Sequence, residues 1–195
     1  MKYYTDKNLL IRSMEIDDAR IFHETYLSYG WHSSLEVYEN YYKEQEENKR
    51  KVFVAVYEGT VCGLCTLVMN PTEGPWVGKG YPEIVDLSVF HHAQNKGIGN
   101  KLLDVIEQEA AKVSDTIFWA VGLHSGYGAA QRIYVKRGYI PDGNGVWYQG
   151  KPLEQYAPCC NDDDLLLFLE IKSDKSLTIG FSKTSLTKTC TLNSL

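Results

Sequence analysis

The chain has no long hydrophobic run, because charged and polar residues interrupt every apolar segment before the roughly 20 residues that a membrane helix needs. Its first residues also lack the continuous apolar stretch of a secretory signal. Basic residues are in the minority, with 20 Lys and Arg against 25 Asp and Glu, whereas a dedicated nucleic-acid binder needs a basic face. We therefore expect a cytoplasmic protein that binds neither membranes nor nucleic acids.

Cysteine is scarce and odd in number, which does not fit a disulfide framework in a chain without an export signal. Cys62 and Cys65 form a C-x-x-C pattern, but they lie inside the strand-like run 61–69. Neither His nor a second C-x-x-C follows at the spacing of a zinc site. We predict free thiols, a core strand at this pattern and no metal site.

Length and composition indicate one globular domain. The chain has 195 residues, of which 44% are hydrophobic and 23% charged. From Ser173 onward Ser and Thr dominate, and apolar residues occur singly. We expect a domain over residues 1–172 and a flexible tail over residues 173–195.

Hydrophobic periodicity predicts an α/β protein with two helices near the start and two in the second half. The predicted strands are 9–13, 51–57, 60–69, 83–89, 116–121, 146–148 and 165–171. The loop 70–81 contains two prolines and three glycines and is a candidate for a mobile lid.

The most informative segment is the strand 83–89 with the glycine-rich turn that follows it. Gly97 and Gly99 stand where this turn enters a helix, whose buried face begins at Ile98. Backbone N–H groups at such a turn and the positive end of a helix attract anions. The segment therefore predicts a site for a phosphate-bearing ligand.

Two motifs together resemble the GCN5-related N-acetyltransferases, the GNAT superfamily. The segment Gln94–Gly99 is similar to the Gln/Arg-x-x-Gly-x-Gly/Ala turn of that family, and Ala130–Tyr139 is similar to its Ala-x-x-x-Tyr-x-x-x-Gly-Phe/Tyr signature. The resemblance implies the GNAT fold, a mixed and mostly antiparallel sheet of about seven strands flanked by helices. It also implies an acetyl-CoA-dependent N-acetyltransferase.

The resemblance assigns the cosubstrate contacts residue by residue. The pantetheine arm of acetyl-CoA would pair with the backbone of Leu87, Ser88 and Val89, and Tyr134 would lie beside the sulfur. The pyrophosphate would bind the turn formed by Gln94, Asn95, Lys96, Gly97, Ile98, Gly99 and Asn100. One departure is Tyr127, which occupies a position where the family often has an asparagine that contacts the pantetheine arm.

The resemblance also implies direct attack of an amine on the thioester, which requires a base and a group that protonates the thiolate. Tyr134 is the candidate acid, the alternative being a buried core tyrosine. Glu83 matches the general base of the histone-acetyltransferase branch, the alternative being a surface or structural carboxylate. Asp86 would face away from Glu83 in a regular strand, so it is a second candidate base only if a bulge intervenes.

The acceptor is expected to be a primary amine of a small molecule or metabolite. Aromatic and acidic residues in the early helices, the loop 70–81 and the segment 149–164 favour a cationic, partly apolar amine. Two alternatives remain: a lysine or N-terminal amine of a protein as acceptor, and a non-catalytic CoA-binding sensor. The sequence leaves open whether the chain forms a homodimer.

Overall fold

A computed structural model describes residues 1–172, and the predicted tail 173–195 lies outside this part. The described chain folds into one sheet of nine strands with four α-helices. The strands are β1 (Lys2–Thr5), β2 (Leu9–Ser13), β3 (Arg50–Tyr57), β4 (Thr60–Val68), β5 (Glu83–Val89), β6 (Thr116–Gly122), β7 (Ile140–Tyr148), β8 (Lys151–Pro152) and β9 (Leu165–Lys172). The helices are α1 (Ile16–Ser28), α2 (Leu35–Glu46), α3 (Ile98–Ala110) and α4 (Gly128–Arg137).

The sheet has the strand order β1-β2-β3-β4-β5-β6-β9-β7-β8. All neighbouring strands are antiparallel except β5 and β6, which are parallel. The predicted mixed, mostly antiparallel sheet is confirmed, but the predicted number of seven strands was wrong. The additional strands are β1 and β8, which lie at the two edges and are too short to show an alternating apolar pattern.

Helices cover both faces of the sheet. The buried side of α3 and Tyr134 of α4 pack on one face, together with Ile84 of β5. The opposite face is covered by α1 and α2, with Phe22 and Tyr26 packed against β3 and β4. The loop before β5 is anchored on this second face by Trp76, which is buried against Phe118 at a centroid distance of 4.5 Å. No helix within residues 1–172 is both long and apolar enough to cross a membrane.

The central parallel pair is the weakest junction of the sheet. β5 and β6 share a single register pair, Glu83 with Phe118, and the Phe118 N–H donates to the Pro82 carbonyl at 3.3 Å. β5 continues to Val89 without further pairing to β6, whereas on its other side it pairs with β4 along its length. The strands therefore diverge after their first residues, and one edge of β5 is open.

A β-bulge interrupts β5 at Asp86. This residue has a φ of +58°, and the register against β4 shifts between Leu64 and Thr66. In a regular strand Asp86 would share the face of Ile84, which packs under α3. Instead the Asp86 carboxylate reaches the Tyr41 hydroxyl on α2, on the opposite face of the sheet. The bulge thus turns Asp86 toward the face on which Glu83 also lies.

Candidate active site

The turn before α3 offers a run of unpaired backbone donors. Among residues 1–172, the N–H groups of residues 95–100 have no hydrogen-bond acceptor, and the first bond of the helix runs from the Lys101 N–H to the Gly97 carbonyl. No acidic side chain lies in the first turn of α3. Asn95 and Gly97 adopt positive φ values of 61° and 80°, which directs successive N–H groups to one side. This geometry fits a pyrophosphate.

The two glycines of the turn differ in what they require. Gly97 is the residue before α3 and lies in the left-handed region, where a side chain is strained. Gly99 is helical, and a Cβ there would meet only the Val89 side chain at an ordinary 3.7 Å. The fold therefore needs a glycine at position 97 but tolerates a side chain at position 99. Gln94 holds the turn to the strand, because its side-chain amide donates to the Val89 carbonyl at 3.1 Å.

β4 approaches β5 closely on the side opposite the open edge. A Cβ at Gly63 of β4 would lie 2.6 Å from the Ser88 carbonyl oxygen, so only glycine lets the two strands pair this closely. With β4 on one side, the backbone of Leu87, Ser88 and Val89 remains without a strand partner on the other. An extended ligand could add to this edge as a strand does.

Tyr134 of α4 belongs to the core cluster on the face of the sheet covered by α3 and α4. It is 5% exposed, and its ring contacts Trp119 of β6. Its hydroxyl has no hydrogen-bond partner among residues 1–172, which leaves it available to a ligand. Burial raises the pKa of Tyr134, and the nearby Cys65 adds to the effect. The phenol therefore stays protonated at physiological pH and can donate a proton but cannot serve as a base.

Glu83 lies on the opposite face, at the point where β5 and β6 separate. Burial raises the pKa of Glu83 from 4.5 to about 7; Arg50 opposes this shift, and Asp86 and Glu73 add to it. Its carboxylate forms no hydrogen bond or ion pair with any other residue in the part that the structure describes. A carboxylate that titrates near neutral pH and has no partner has the properties of a general base.

Asp86 is placed differently from Glu83. Its Oδ2 accepts a hydrogen bond of 2.6 Å from the Tyr41 hydroxyl. The bulge that its candidacy required is present, so the structure allows both carboxylates to act from the same face. Asp86 is exposed and already has a hydrogen-bond donor, whereas the Glu83 carboxylate has none among the described residues.

A cavity of about 630 Å³ opens next to Glu83. The cavity extends from β5 across the junction with β6, since Ala120 of β6 and Leu166 of β9 also line it. Aromatic and charged side chains form much of the remaining wall: Glu73, Trp147, Lys151, Asp164 and Phe168. The sequence did not point to Glu73 or Phe168, because they are distant in the chain and no local pattern marks them.

The end of β6 shows how the chain accommodates Tyr127. A Cβ at Gly122 would lie only 2.4 Å from atoms of the Tyr127 ring, so a glycine is needed at position 122. The Tyr127 hydroxyl donates to Asp163 Oδ1 at 3.0 Å, and His124 Nε2 lies 2.9 Å from the same oxygen. Tyr127 thus ties the start of α4 to the segment that precedes β9, instead of presenting an amide to the open edge.

The predicted core role of the C-x-x-C pattern is confirmed. Cys62 and Cys65 are free and buried in β4, and burial raises the pKa of the Cys62 thiol to about 11. The exposed Cys159 and Cys160 are free as well. Within residues 1–172, no three His, Cys, Asp or Glu side chains converge as a metal site would require.

The site thus combines a splayed strand pair, a cradle of N–H groups where the pair ends, a buried phenol on one face and, on the other, a carboxylate without a partner among the described residues. The family model described as acetyltransferase (GNAT) family matches residues 16–139, more than half of the chain. The chain therefore belongs to the GNAT acetyltransferase family. No curated protein matches the sequence.

Solved structures share the fold at low sequence identity. An acetyltransferase from Salmonella typhimurium, which modifies the N-terminal serine of a 50S ribosomal subunit protein, superposes with a TM-score of 0.67 at 11% identity over 89% of this chain and 100% of its own. The putative acetyltransferase yncA from the same organism, solved with acetyl-CoA, gives 0.63 at 17% identity over 90% and 100%. An N-acetyltransferase from Staphylococcus aureus gives 0.63 at 18% identity over 85% and 99%.

Proposed function

We propose that the protein transfers the acetyl group of acetyl-CoA directly to a primary amine of a small molecule. The observation that carries this proposal is the open edge of β5, which runs from Glu83 to the cradle at residues 95–100. The N–H groups of the cradle would hold the pyrophosphate, and the edge at Leu87–Val89 would pair with the pantetheine arm. The residues present therefore fit acetyl-CoA.

The acid and the base have separate tasks in this reaction. Glu83, when ionised, accepts a proton from the acceptor ammonium, either directly or through one water. The neutral amine then attacks the thioester carbonyl, so that a C–N bond forms and the C–S bond breaks. The Tyr134 hydroxyl, which burial keeps protonated, donates a proton to the departing thiolate and regains one when the new amide nitrogen loses its second proton.

Replacing Tyr134 with phenylalanine tests whether its hydroxyl protonates the thiolate. The ring contacts of the buried side chain are retained in this variant, so the fold and the cosubstrate site are expected to remain. We expect kcat to fall by about 10²-fold, as is typical for the loss of one proton-transfer group. The Kd for acetyl-CoA, measured by calorimetry, is expected to stay nearly unchanged. An unchanged kcat would assign thiolate protonation to another group.

The cavity favours a cationic acceptor. Its lining contains the carboxylates of Glu73, Glu83 and Asp164, against the one cation that lines it within the described residues, Lys151. Trp147 and Phe168 add aromatic faces, which attract ammonium groups. Its volume lies within the range of about 300 to 1,000 Å³ typical of small-molecule sites. A diamine or another amine with a second positive charge is therefore preferred over an amino acid or an uncharged amine.

The first experiment is stabilisation by acetyl-CoA in a thermal melt, followed by release of free thiol with a panel of amines. The panel compares a diamine, a monoamine of equal length, an amino acid and a peptide with a free N-terminus. We expect the diamine to give the highest kcat/KM. Turnover of the peptide alone would favour a protein acceptor, which the fold shared with the ribosomal-protein enzyme also suggests. Stabilisation without turnover of any amine would indicate a sensor.

A substitution at Glu73 tests the preference for an amine with a second positive charge. Glu73→Gln removes one exposed carboxylate from the cavity wall without changing the size of the side chain. Exposed charge pairs contribute roughly 0.2 to 1 kcal/mol, so the KM for the diamine is expected to rise by no more than about fivefold. The KM for the monoamine should change less, and the Kd for acetyl-CoA should not change. An equal effect on both amines would argue against a second cationic group.

A further inference from the structure

The bulge at Asp86 places a side chain in a backbone conformation that it does not favour. Asp86 has a φ of +58°, in the left-handed region that glycine adopts readily. The bulge lies directly before Leu87–Val89, the part of the open edge of β5 that is assigned to the pantetheine arm. Its conformation therefore sets the direction in which the N–H and carbonyl groups of Leu87–Val89 point.

A hydrogen bond from α2 holds this residue. The Tyr41 hydroxyl donates to Asp86 Oδ2 at 2.6 Å, a short bond to a charged acceptor. Burial raises the pKa of Tyr41, and the Asp86 charge adds to the effect, so the phenol stays protonated and remains a donor. In the part of the chain that the structure describes, Tyr41 provides the hydrogen bond between α2 and the bulge.

Arg50 of β3 packs against the ring of Tyr41. Its guanidinium lies 4.2 Å from the centroid of the Tyr41 ring. Its Nε donates to Glu44 Oε2 at 2.6 Å, which fastens it to α2. Its Nη1 donates to Thr66 Oγ1 at 2.8 Å, and the Thr66 hydroxyl lies 3.3 Å from the carbonyl oxygen of Val85, the residue before the bulge.

Hydrogen bonds from α2 and β4 thus reach two consecutive residues of β5, and Arg50 of β3 contacts the donor side chain in each case. We propose that Tyr41, held in place by Arg50, is a positioning residue that keeps the bulge in the conformation in which the β5 edge receives the arm of acetyl-CoA. This inference rests on the proposed function, because it assigns a purpose to the edge that the proposal gives to the cosubstrate. Tyr41 acts through Asp86 and does not need to touch the ligand.

The test replaces Tyr41 with phenylalanine, which removes the hydroxyl and keeps the ring on which Arg50 lies. We expect the Kd for acetyl-CoA to rise about threefold to tenfold, by calorimetry, with little change in the KM for the amine. Tyr42→Phe is the matched control, because Tyr42 is a half-buried tyrosine on the same helix whose hydroxyl forms no hydrogen bond with the other described residues. The control should bind acetyl-CoA as the unmodified protein does.

A second background separates positioning from a general loss of structure. In Asp86→Gly the left-handed conformation needs no side-chain support. If Tyr41 acts by holding Asp86, then Tyr41→Phe should have no effect on acetyl-CoA affinity in this background. An equal loss of affinity in both backgrounds would overturn the proposal.

Hydrogen exchange gives a readout that does not depend on any ligand. In the free protein, Tyr41→Phe should accelerate amide exchange in the segment 83–90, whereas Tyr42→Phe should not. Unchanged exchange in Tyr41→Phe would overturn the positioning role, whatever the protein binds. Accelerated exchange in a protein that fails to bind acetyl-CoA would support the positioning role and contradict the proposed function instead.

Discussion

Replacing Gly99 with aspartate is expected to abolish the binding of acetyl-CoA while the protein remains folded. A side chain at this position meets only the Val89 side chain at an ordinary distance, so the fold can accept it. A carboxylate in the first turn of α3 even favours the helix, because it faces the positive end of the helix dipole. The same carboxylate would occupy the place proposed for the pyrophosphate and would repel it.

The magnitude follows from the separation of the charges. Two like charges about 4 Å apart near a protein surface repel by about 4 kcal/mol, so we expect the Kd for acetyl-CoA to rise by about 10³-fold. Calorimetry measures this change, and a thermal melt without ligand shows that the variant is folded. Near-normal affinity in Gly99→Asp would place the anion site elsewhere.

Gly97→Ala is the contrasting control for this prediction. Gly97 has a φ of +80°, so alanine there strains the backbone by about 1 kcal/mol or more. This variant should lose thermal stability, which Gly99→Asp should not. The pair therefore separates loss of binding that comes from the ligand site from loss that comes from the fold.

Replacing Glu83 with glutamine is expected to lower kcat/KM by about 10²- to 10⁴-fold at pH 8, the range for loss of a general base. Glu83 must be ionised to accept a proton, and its pKa is about 7. The kcat/KM of the unmodified enzyme should therefore rise with pH through a midpoint near 7. The loss in Glu83→Gln should be largest above that pH and should shrink below it, where the carboxyl is protonated in both proteins.

Two further variants identify the base if Glu83 is not it. A rising limb that persists in Glu83→Gln and disappears in Asp86→Asn would assign the proton transfer to Asp86. Glu73→Gln should move the midpoint to lower pH, because the Glu73 charge raises the pKa of Glu83. A midpoint that does not move would mean that the titration observed is not that of Glu83.

The same residue is expected to reduce stability at high pH. The folded-state pKa of Glu83 is above its ordinary value of 4.5, so the folded protein binds more protons than the unfolded chain between about pH 4.5 and 7. The free energy of unfolding therefore falls as pH rises through this interval, by at most about 3 kcal/mol. Glutamine carries no charge, so Glu83→Gln should melt higher than the unmodified protein at pH 8 and similarly at pH 4.5.

Local sequence patterns predicted much of the fold, including the strand, turn and helices to which the cosubstrate contacts are assigned. The apolar stripe of α3, the strand before it and the glycine that ends α4 each depend on neighbouring residues, and the structure confirms these elements. The catalytic roles of Tyr134, Glu83 and Asp86 stay predictions. The sequence allowed a bulge at Asp86 but did not require it, because a bulge depends on how β4 and β5 align.

The acceptor side could not be predicted in the same way. Glu73, Trp147 and Asp164 meet at one cavity only because strands far apart in the chain become neighbours in the sheet. Tyr41 lies on the second helix, and nothing in the sequence indicated its bond to Asp86. Short strands at the sheet edges, such as β1 and β8, were missed for lack of pattern.

The single register pair between β5 and β6 divides the sheet into two half-sheets, β1 to β5 and β6 to β9. A ligand that pairs with the edge of β5 would act as a missing strand and make the junction between the two half-sheets more rigid. The cavity proposed for the acceptor is lined by Glu83 of β5 and by residues of β6, β7 and β9, so its shape depends on how rigidly the two half-sheets are joined. The first substrate would thereby complete the pocket of the second, which favours an ordered mechanism in which acetyl-CoA binds before the amine.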